Sequence, residues 1–329
     1  MINKKILFIA PQYFGYEYDI ISELEKKGAR IFFVQENIGA TKFRYKILNK
    51  FPSRIRDYII RGHFIRIFKK LYKEGITFDY IFCIRIDSFD HIILSKLKQL
   101  YPDAKYVCYF WDSIKNMRNP KAVASFFDRV FTFDKIDAEG EGWNFCPLFF
   151  NKKYECCLSG ANKEIDILFV ASLLPERAKL FTTIKTICEN NNLNLFTYFT
   201  VNPYLYYVNK KTYKNIPSSI IFFKGLQQSE LVKLFSKSKV IIDCSSSSQS
   251  GLTMRTIECI GAKKKIITTN ENIKEYDFYN ESNVLYINDN PNESVIVDFI
   301  SNDVYEELNC EVYKYYSIDN WTTRIFEDE

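Results

Sequence analysis

The sequence is poor in the residues that build zinc sites. Its 329 residues include two histidines, and no two cysteines are separated by two residues. A zinc site is therefore not expected. The nine cysteines lie mostly in apolar, strand-like runs, which disfavours a disulfide framework. No GxGxxG motif follows any predicted strand, so a nicotinamide or flavin enzyme is also disfavoured.

Long apolar runs are also missing. The first apolar run ends at Pro11 and predicts a β-strand rather than a secretion signal. No run approaches the length needed to cross a bilayer. The sequence predicts a cytoplasmic protein, either soluble or peripheral on the inner face of the cell membrane.

Acidic residues are rare between Lys42 and Lys73, where eleven lysines and arginines accompany one acid, Asp57. The interleaved apolar residues predict one or two amphipathic helices with a basic face. Such a face suits an anionic membrane surface or a polyanionic acceptor, and an ordinary solvated helix remains the alternative. No nucleic-acid module accompanies the patch, so nucleic acid is not an expected partner.

Strands and helices alternate in two series of similar length. Residues 1–150 form the first predicted domain, 151–163 a linker and 164–312 the second domain. Alternating elements predict mostly parallel sheets with helices on both faces. We therefore expect an α/β protein of two Rossmann-like, doubly wound domains facing a cleft, with ligands outside the carboxyl ends of the strands.

Residues 249–262 combine a small-residue loop, a short helix and one glutamate between two apolar strands. Loop amides and a helix N-terminus favour a bound phosphate. Glu258 lies in an apolar segment, where an unpaired carboxylate is costly, and it is able to accept hydrogen bonds from a ribose diol. A serine-rich turn before an ordinary packed helix is the plain alternative.

Four segments together resemble the GT-B glycosyltransferases of bacterial lipopolysaccharide and capsule biosynthesis, close to the CgeB-like group. The first, 166–172 followed by Pro175-Glu176-Arg177, resembles the first strand and phosphate-facing loop of the donor domain. The second, 223–225 followed by 229–231, resembles the segment beside the donor base. The third, 249–262, resembles the helix that holds the donor ribose and pyrophosphate. The fourth, around Trp321, resembles the closing helix, so residues 313–329 are expected to cross back to the first domain.

The resemblance implies a glycosyltransferase that moves a sugar from a nucleotide-sugar donor to a saccharide or lipid-linked acceptor. It implies no metal and no cofactor apart from the donor, with helix N-termini, amides and a cation stabilising the leaving diphosphate. Donor contacts are expected from a set of seven residues: Arg177, Lys224, Ser250, Gly251, Thr253, Arg255 and Glu258. Arg177 and Arg255 each have an alternative as structural or surface charges.

One position departs from the family pattern. Retaining members often carry a second glutamate where this chain has Ser250. Inversion requires a base on the acceptor side. Asp112, which follows a buried strand, is the candidate, with a helix N-cap as its alternative. Four weaker candidates for the base are Asp19, Glu17, Asp87 and His91.

Two other functions compete with glycosyl transfer. A nucleotide-sugar epimerase of the same fold needs several acids and histidines around the sugar, and neither histidine lies in the second half of the chain. A catalytically inactive scaffold at the membrane stays open because of Ser250. Binding of a nucleoside diphosphate without turnover favours the scaffold.

Overall fold

The computed structural model describes residues 1–12, 14–36, 52–158, 163–245, 250–288 and 290–327. The chain divides into two compact units, residues 1–147 with 321–329, and residues 148–320. Each unit contains one six-stranded sheet in which all paired strands are parallel. The predicted class, two Rossmann-like α/β domains, is confirmed.

The sheet of the first unit has the order β2-β1-β3-β4-β5-β6. Its strands are β1 Lys5–Ala10, β2 Arg30–Gln35, β3 Tyr80–Ile84, β4 Lys105–Phe110, β5 Arg129–Thr132 and β6 Asn144–Phe145. The helices of this unit are α1 Tyr16–Lys26, α2 Ser53–Lys73, α3 His91–Leu100, α4 Pro120–Ala124 and α5 Lys135–Glu141. The central strands are almost wholly buried because helices cover both faces of a parallel sheet.

The sheet of the second unit has the order β12-β11-β10-β7-β8-β9. Its strands are β7 Ile165–Ser172, β8 Leu195–Thr200, β9 Ile221–Phe222, β10 Ser238–Asp243, β11 Lys265–Thr268 and β12 Val284–Tyr286. The helices are α6 Pro175–Asn190, α7 Pro203–Val208, α8 Gln228–Ser236, α9 Met254–Gly261, α10 Glu293–Ser301 and α11 Cys310–Tyr315. A 3₁₀ segment, Lys152–Leu158, begins the unit.

A last helix, α12 (Ile318–Phe326), belongs from Trp321 onward to the first unit. Trp321 is fully buried there, and its ring lies 4.9 Å from that of Tyr109. The guanidinium of Arg129 donates to the carbonyl of Glu327 at 2.7 Å. These contacts fix the end of the chain to the first sheet.

The two units share one topological feature. In each, the chain builds strands on one side of the first strand and then moves to the other side. This switch falls between β1 and β3 in the first unit and between β7 and β10 in the second. Ligands of doubly wound sheets bind outside the carboxyl ends of the strands at such a switch point.

Several element predictions need correction. Serine is a favoured N-cap residue, yet Ser229 lies inside α8, and Gln227 caps this helix through a reciprocal capping box with Glu230. Of the predicted basic helices at 42–73, α2 begins at Ser53, and residues 42–51 lie outside the described part of the chain. Most of the serine run is also outside it, at 246–248. In the part that is described, no helix is both long and apolar enough to span a bilayer.

Candidate nucleotide site and its neighbours

Arg177 occupies the switch point of the second unit. It lies in the first turn of α6, directly after β7. Its Nε donates to the carbonyl of Cys244 at 2.9 Å, and its Nη1 donates to the carbonyl of Ser172 at 3.1 Å. Cys244 follows β10 and Ser172 ends β7, so the guanidinium joins the carboxyl ends of the two strands that flank the switch. A half-buried cation is thereby held in place by backbone groups.

The N-terminus of α9 is fixed to the same strand end. Asp243, the last residue of β10, is 5% exposed. Its Oδ2 accepts from the hydroxyls of Thr253 at 2.8 Å and Thr256 at 2.6 Å. Thr253 is also the N-cap of α9, because its side chain accepts from the amide of Thr256. The first turn of α9 is therefore held at the end of β10. The next residue after Asp243 is Cys244, whose carbonyl accepts from Arg177.

Two asparagines hold the loop that precedes α9. The Asn270 side chain donates to the carbonyls of Ser250 at 3.1 Å and Gly251 at 3.3 Å. The Asn272 side chain donates to the Ser250 carbonyl at 3.0 Å. Both asparagines follow β11, so the ends of two neighbouring strands, β10 and β11, hold this loop and the helix start that follows it. The expected donor residues Ser250, Gly251 and Thr253 thus lie at one edge of the sheet together with Arg177.

Glu258 has protein partners that the sequence did not reveal. It is 1% exposed, and its Oε1 accepts from the hydroxyl of Tyr154 at 2.6 Å. Its Oε2 pairs with Arg255 at 2.8 Å. The Arg255 guanidinium lies 5.3 Å from the ring centre of Phe235, which also packs against Tyr154. The Tyr154 hydroxyl and the Arg255 guanidinium therefore stabilise the buried carboxylate, so its burial is not evidence for a ribose contact. Its role in donor binding stays a prediction.

Lys224 lies apart from this group. It is exposed and follows β9, which is separated from β10 by β8 and β7. Its carbonyl accepts from the hydroxyl of Tyr198 at 2.8 Å. The structure does not bring Lys224 to the switch point, and its contact with the donor stays a prediction.

In the first unit, Asp112 is held by an arginine that sequence reasoning missed. Its Oδ2 pairs with Arg85 Nη1 at 2.9 Å, while its Oδ1 accepts from the amide of Ser113 and the side chain of Asn116. The N-cap of the next helical turn is Ser113, so the N-cap alternative for Asp112 is wrong. Its role as a base stays a prediction.

Arg85 also connects Asp112 to the strand end next to it. Its Nε pairs with Asp87 at 3.1 Å, and its backbone is left-handed, with φ 42°. A non-glycine residue in that region is uncommon and often marks a constrained site.

A second buried carboxylate lies near this strand end. Glu36, which follows β2, is 2% exposed and accepts from the amide of Ser88 at 2.5 Å. Burial, the largest cause, raises the pKa of Glu36, and the neighbouring Asp87 raises it further.

Metal-binding groups are not found in the described ranges, where no cluster of three or more His, Cys, Asp and Glu side chains is placed to hold an ion. Of the weaker candidates for the base, Asp87 is the one that pairs with Arg85. Glu17, which is buried, and Asp19 lie in the first turn of α1, and His91 begins α3 after the N-cap Asp90. Their catalytic roles stay predictions.

Comparisons with models of protein families and with curated protein sequences found no match. Solved structures do match. An α-glucosyltransferase in complex with UDP and a 13-mer DNA is 14% identical, with a TM-score of 0.59, covering 98% of this chain and 95% of its own.

Two further structures match over similar lengths. The UDP-GlcNAc 2-epimerase from Neisseria meningitidis, bound to UDP-GlcNAc, is 11% identical, with a TM-score of 0.53 and coverage of 98% of both chains. MurG from Acinetobacter baumannii is 10% identical, with a TM-score of 0.50, covering 98% of this chain and 99% of its own. At such identities the likeness is one of fold, and the chain has the GT-B fold that these glycosyltransferases and epimerases share.

Proposed function

We propose that this protein is a glycosyltransferase that uses a nucleotide-sugar donor. The observation that carries the proposal is Arg177, held by backbone carbonyls at the switch point of the second unit. Ligands of doubly wound sheets bind at this place. A fixed cation there is suited to a diphosphate, which gains negative charge as the sugar leaves.

The α9 N-terminus supplies the second part of the proposed diphosphate site. Helix N-termini attract anions through their unpaired amides and the helix dipole. Asp243, Asn270 and Asn272 hold this helix start and its preceding loop in place before any ligand arrives. Such preorganisation lowers the cost of binding and of stabilising the leaving group. Neither part requires a metal ion.

The acceptor side is assigned to the first unit. Asp112 is the proposed base that takes the proton of the attacking hydroxyl. For this it must release Arg85 or act through the lone pairs that Arg85 leaves free. The proposed acceptor is a saccharide or a lipid-linked saccharide of the bacterial cell surface, as the sequence resemblance implies.

An anionic membrane is the proposed partner of α2. The outward side of this helix carries Arg66, Lys69, Lys70 and Lys73, all exposed. Near its start, Ile55, Tyr58 and Ile59 are 48%, 75% and 39% exposed. Cations beside exposed apolar side chains are typical of helices that lie on anionic bilayers. Arg61 does not share this role, because it pairs with Asp90 at 2.5 Å.

Thermal stabilisation by nucleoside diphosphates tests the donor site. UDP, GDP, ADP, CDP and TDP are added separately to wild type, Arg177→Ala and Lys185→Ala. We expect the diphosphate of one nucleoside to raise the melting temperature of wild type. We expect Arg177→Ala to bind that diphosphate about tenfold to a hundredfold more weakly, because it loses a charge-assisted contact.

Lys185→Ala is the matched control, because it removes a cation from the same helix, where Lys185 pairs with Glu189. It is expected to bind as wild type does. Equal binding by wild type and Arg177→Ala would remove the observation on which the proposal depends.

A further inference from the structure

The second unit exposes an unusual group of apolar side chains on and beside α7. We call the following five residues the α7 surface. They are Tyr204 (73% exposed), Leu205 (52%), Tyr207 (78%), Val208 (59%) and Phe223 (57%). Single exposed apolar residues are normal, whereas a contiguous group marks an interaction surface.

Local contacts hold this surface in shape. The Asn202 side chain caps α7 by accepting from the amide of Tyr204 at 2.9 Å. Tyr206, on the other side of the helix, stacks parallel to Tyr213 with ring centres 6.3 Å apart, and Tyr213 is buried. Tyr206 also meets Phe223 edge to face at 5.9 Å. The anchor is thus Tyr206, which joins α7 to Phe223 and leaves the other large side chains facing outward.

The stretch of chain that forms the α7 surface carries charge of one sign. No aspartate or glutamate occurs between Glu189 and Glu230. The same stretch contains four lysines, all exposed: Lys210, Lys211, Lys214 and Lys224. Three of them follow α7 directly, and Lys224 is next to Phe223. An apolar surface whose own stretch of chain carries only cations is complementary to an anionic, partly apolar partner.

We propose that the α7 surface inserts into the headgroup region of an anionic lipid bilayer. Tyrosine is favoured at membrane interfaces, where its ring is apolar and its hydroxyl stays hydrated. Leu205 and Val208 add aliphatic area that gains by leaving water. The lysines contact lipid phosphates. A saccharide is the poorer occupant, because Leu205 and Val208 offer it neither a hydrogen bond nor a ring face.

Vesicle co-sedimentation tests this surface. Vesicles of phosphatidylglycerol and phosphatidylcholine in equal parts are compared with vesicles of phosphatidylcholine alone. We expect Y204S/L205S/Y207S/V208S to reduce binding about tenfold or more, because even one buried large side chain carries that much. We expect K210Q/K211Q/K214Q to reduce binding to the anionic vesicles about a hundredfold, at about fivefold per lysine. Added salt should weaken wild-type binding.

Control variants separate the α7 surface from other causes. V295S/V304S removes exposed apolar side chains, 45% and 69% exposed, elsewhere in the same unit and should bind as wild type does. Urea unfolding midpoints should match wild type, because the substituted side chains face outward. In a protein with Arg66, Lys69, Lys70 and Lys73 changed to Gln, the α7 serine substitutions must still reduce binding.

Three results would overturn the proposal. The first is vesicle binding by the quadruple serine variant at the wild-type level. The second is loss of all binding from the α2 substitutions alone. The third is binding of soluble oligosaccharides, lost in the serine variant, by a protein that does not bind vesicles. None of these readouts depends on donor turnover, so failure here leaves the proposed glycosyl transfer standing.

Discussion

At the scale of single residues, the proposed site is built from buried or half-buried charges at the ends of strands. Arg177, Asp243 and Arg85 each follow or end a strand, and each is held by named partners. A charge that is held in this way costs little reorganisation when a ligand arrives. In each sheet these charged residues lie at the carboxyl ends of the strands, where ligands of doubly wound sheets bind.

Glu36 gives a prediction on pH. Its raised pKa, caused chiefly by burial, means that the folded state keeps this proton to a higher pH than the unfolded state does. The free energy of unfolding is therefore highest at pH values below the pKa of Glu36 in the unfolded chain. It falls as the pH rises through the pKa of Glu36 in the folded protein. Glu36→Gln removes this loss and keeps an oxygen for the Ser88 amide.

We expect Glu36→Gln to unfold at higher urea than wild type at neutral pH, with the difference disappearing at about pH 4, near the pKa of unfolded glutamate. Glu25→Gln, at an exposed glutamate of α1, controls for the loss of one carboxylate. A Glu36→Gln protein that is less stable than wild type at neutral pH would show that the charged form of Glu36 is favoured in the folded state.

Arg177 and the loop at 250–253 could be singled out from the sequence because each lies in a short, local pattern. A strand followed by a small-residue loop and a helix start is visible within a few residues. Tyr154 could not be found in this way. It lies 104 residues from Glu258, and no local pattern pairs residues that far apart. Arg85 was missed because a single arginine after a strand has no distinctive spacing.

At the scale of elements, burial made the strands easy to predict. β3, β10 and β11 each contain consecutive apolar residues, which is the pattern of a parallel strand buried on both faces. Helix starts were less well predicted, as Gln227 shows, because glutamine is not a favoured N-cap. Helix α7 has a typical start in Asn202-Pro203, but its apolar residues surround the helix without a polar face, so no amphipathic pattern marks it in the sequence.

The packing of the Lys152–Leu158 segment against α9 yields a second prediction. Glu258→Ala removes an acceptor from the buried hydroxyl of Tyr154 and an ion-pair partner from Arg255. We expect a loss of about 2–4 kcal/mol in the free energy of unfolding. Urea denaturation of Glu258→Ala, Tyr154→Phe and the double variant measures the coupling between the two side chains.

Glu258→Gln is the conservative control, since it keeps an acceptor for Tyr154 and is expected to lose less. The same variants separate a structural role from a ribose contact. If Glu258→Ala unfolds at the wild-type urea concentration but loses nucleotide binding, the carboxylate serves the donor and the packing role is wrong.

At the scale of the whole molecule, two units with the same sheet architecture divide the proposed chemistry. The second unit contains the fixed cation and the helix start that suit a diphosphate. The first contains the carboxylates joined by Arg85. The GT-B fold is common to transferases and epimerases, so the fold alone does not choose between them. The products of the reaction make that choice.

The most direct measurement is product analysis after incubation with nucleotide sugars and a bacterial saccharide or lipid-linked acceptor fraction. The account predicts release of a nucleoside diphosphate together with a glycosylated acceptor. It predicts that Arg177→Ala lowers the rate about a hundredfold or more, as loss of one charge-stabilising contact does, while Lys185→Ala does not. A C2-epimerised sugar with no glycosylated acceptor, or full activity in Arg177→Ala, would contradict it.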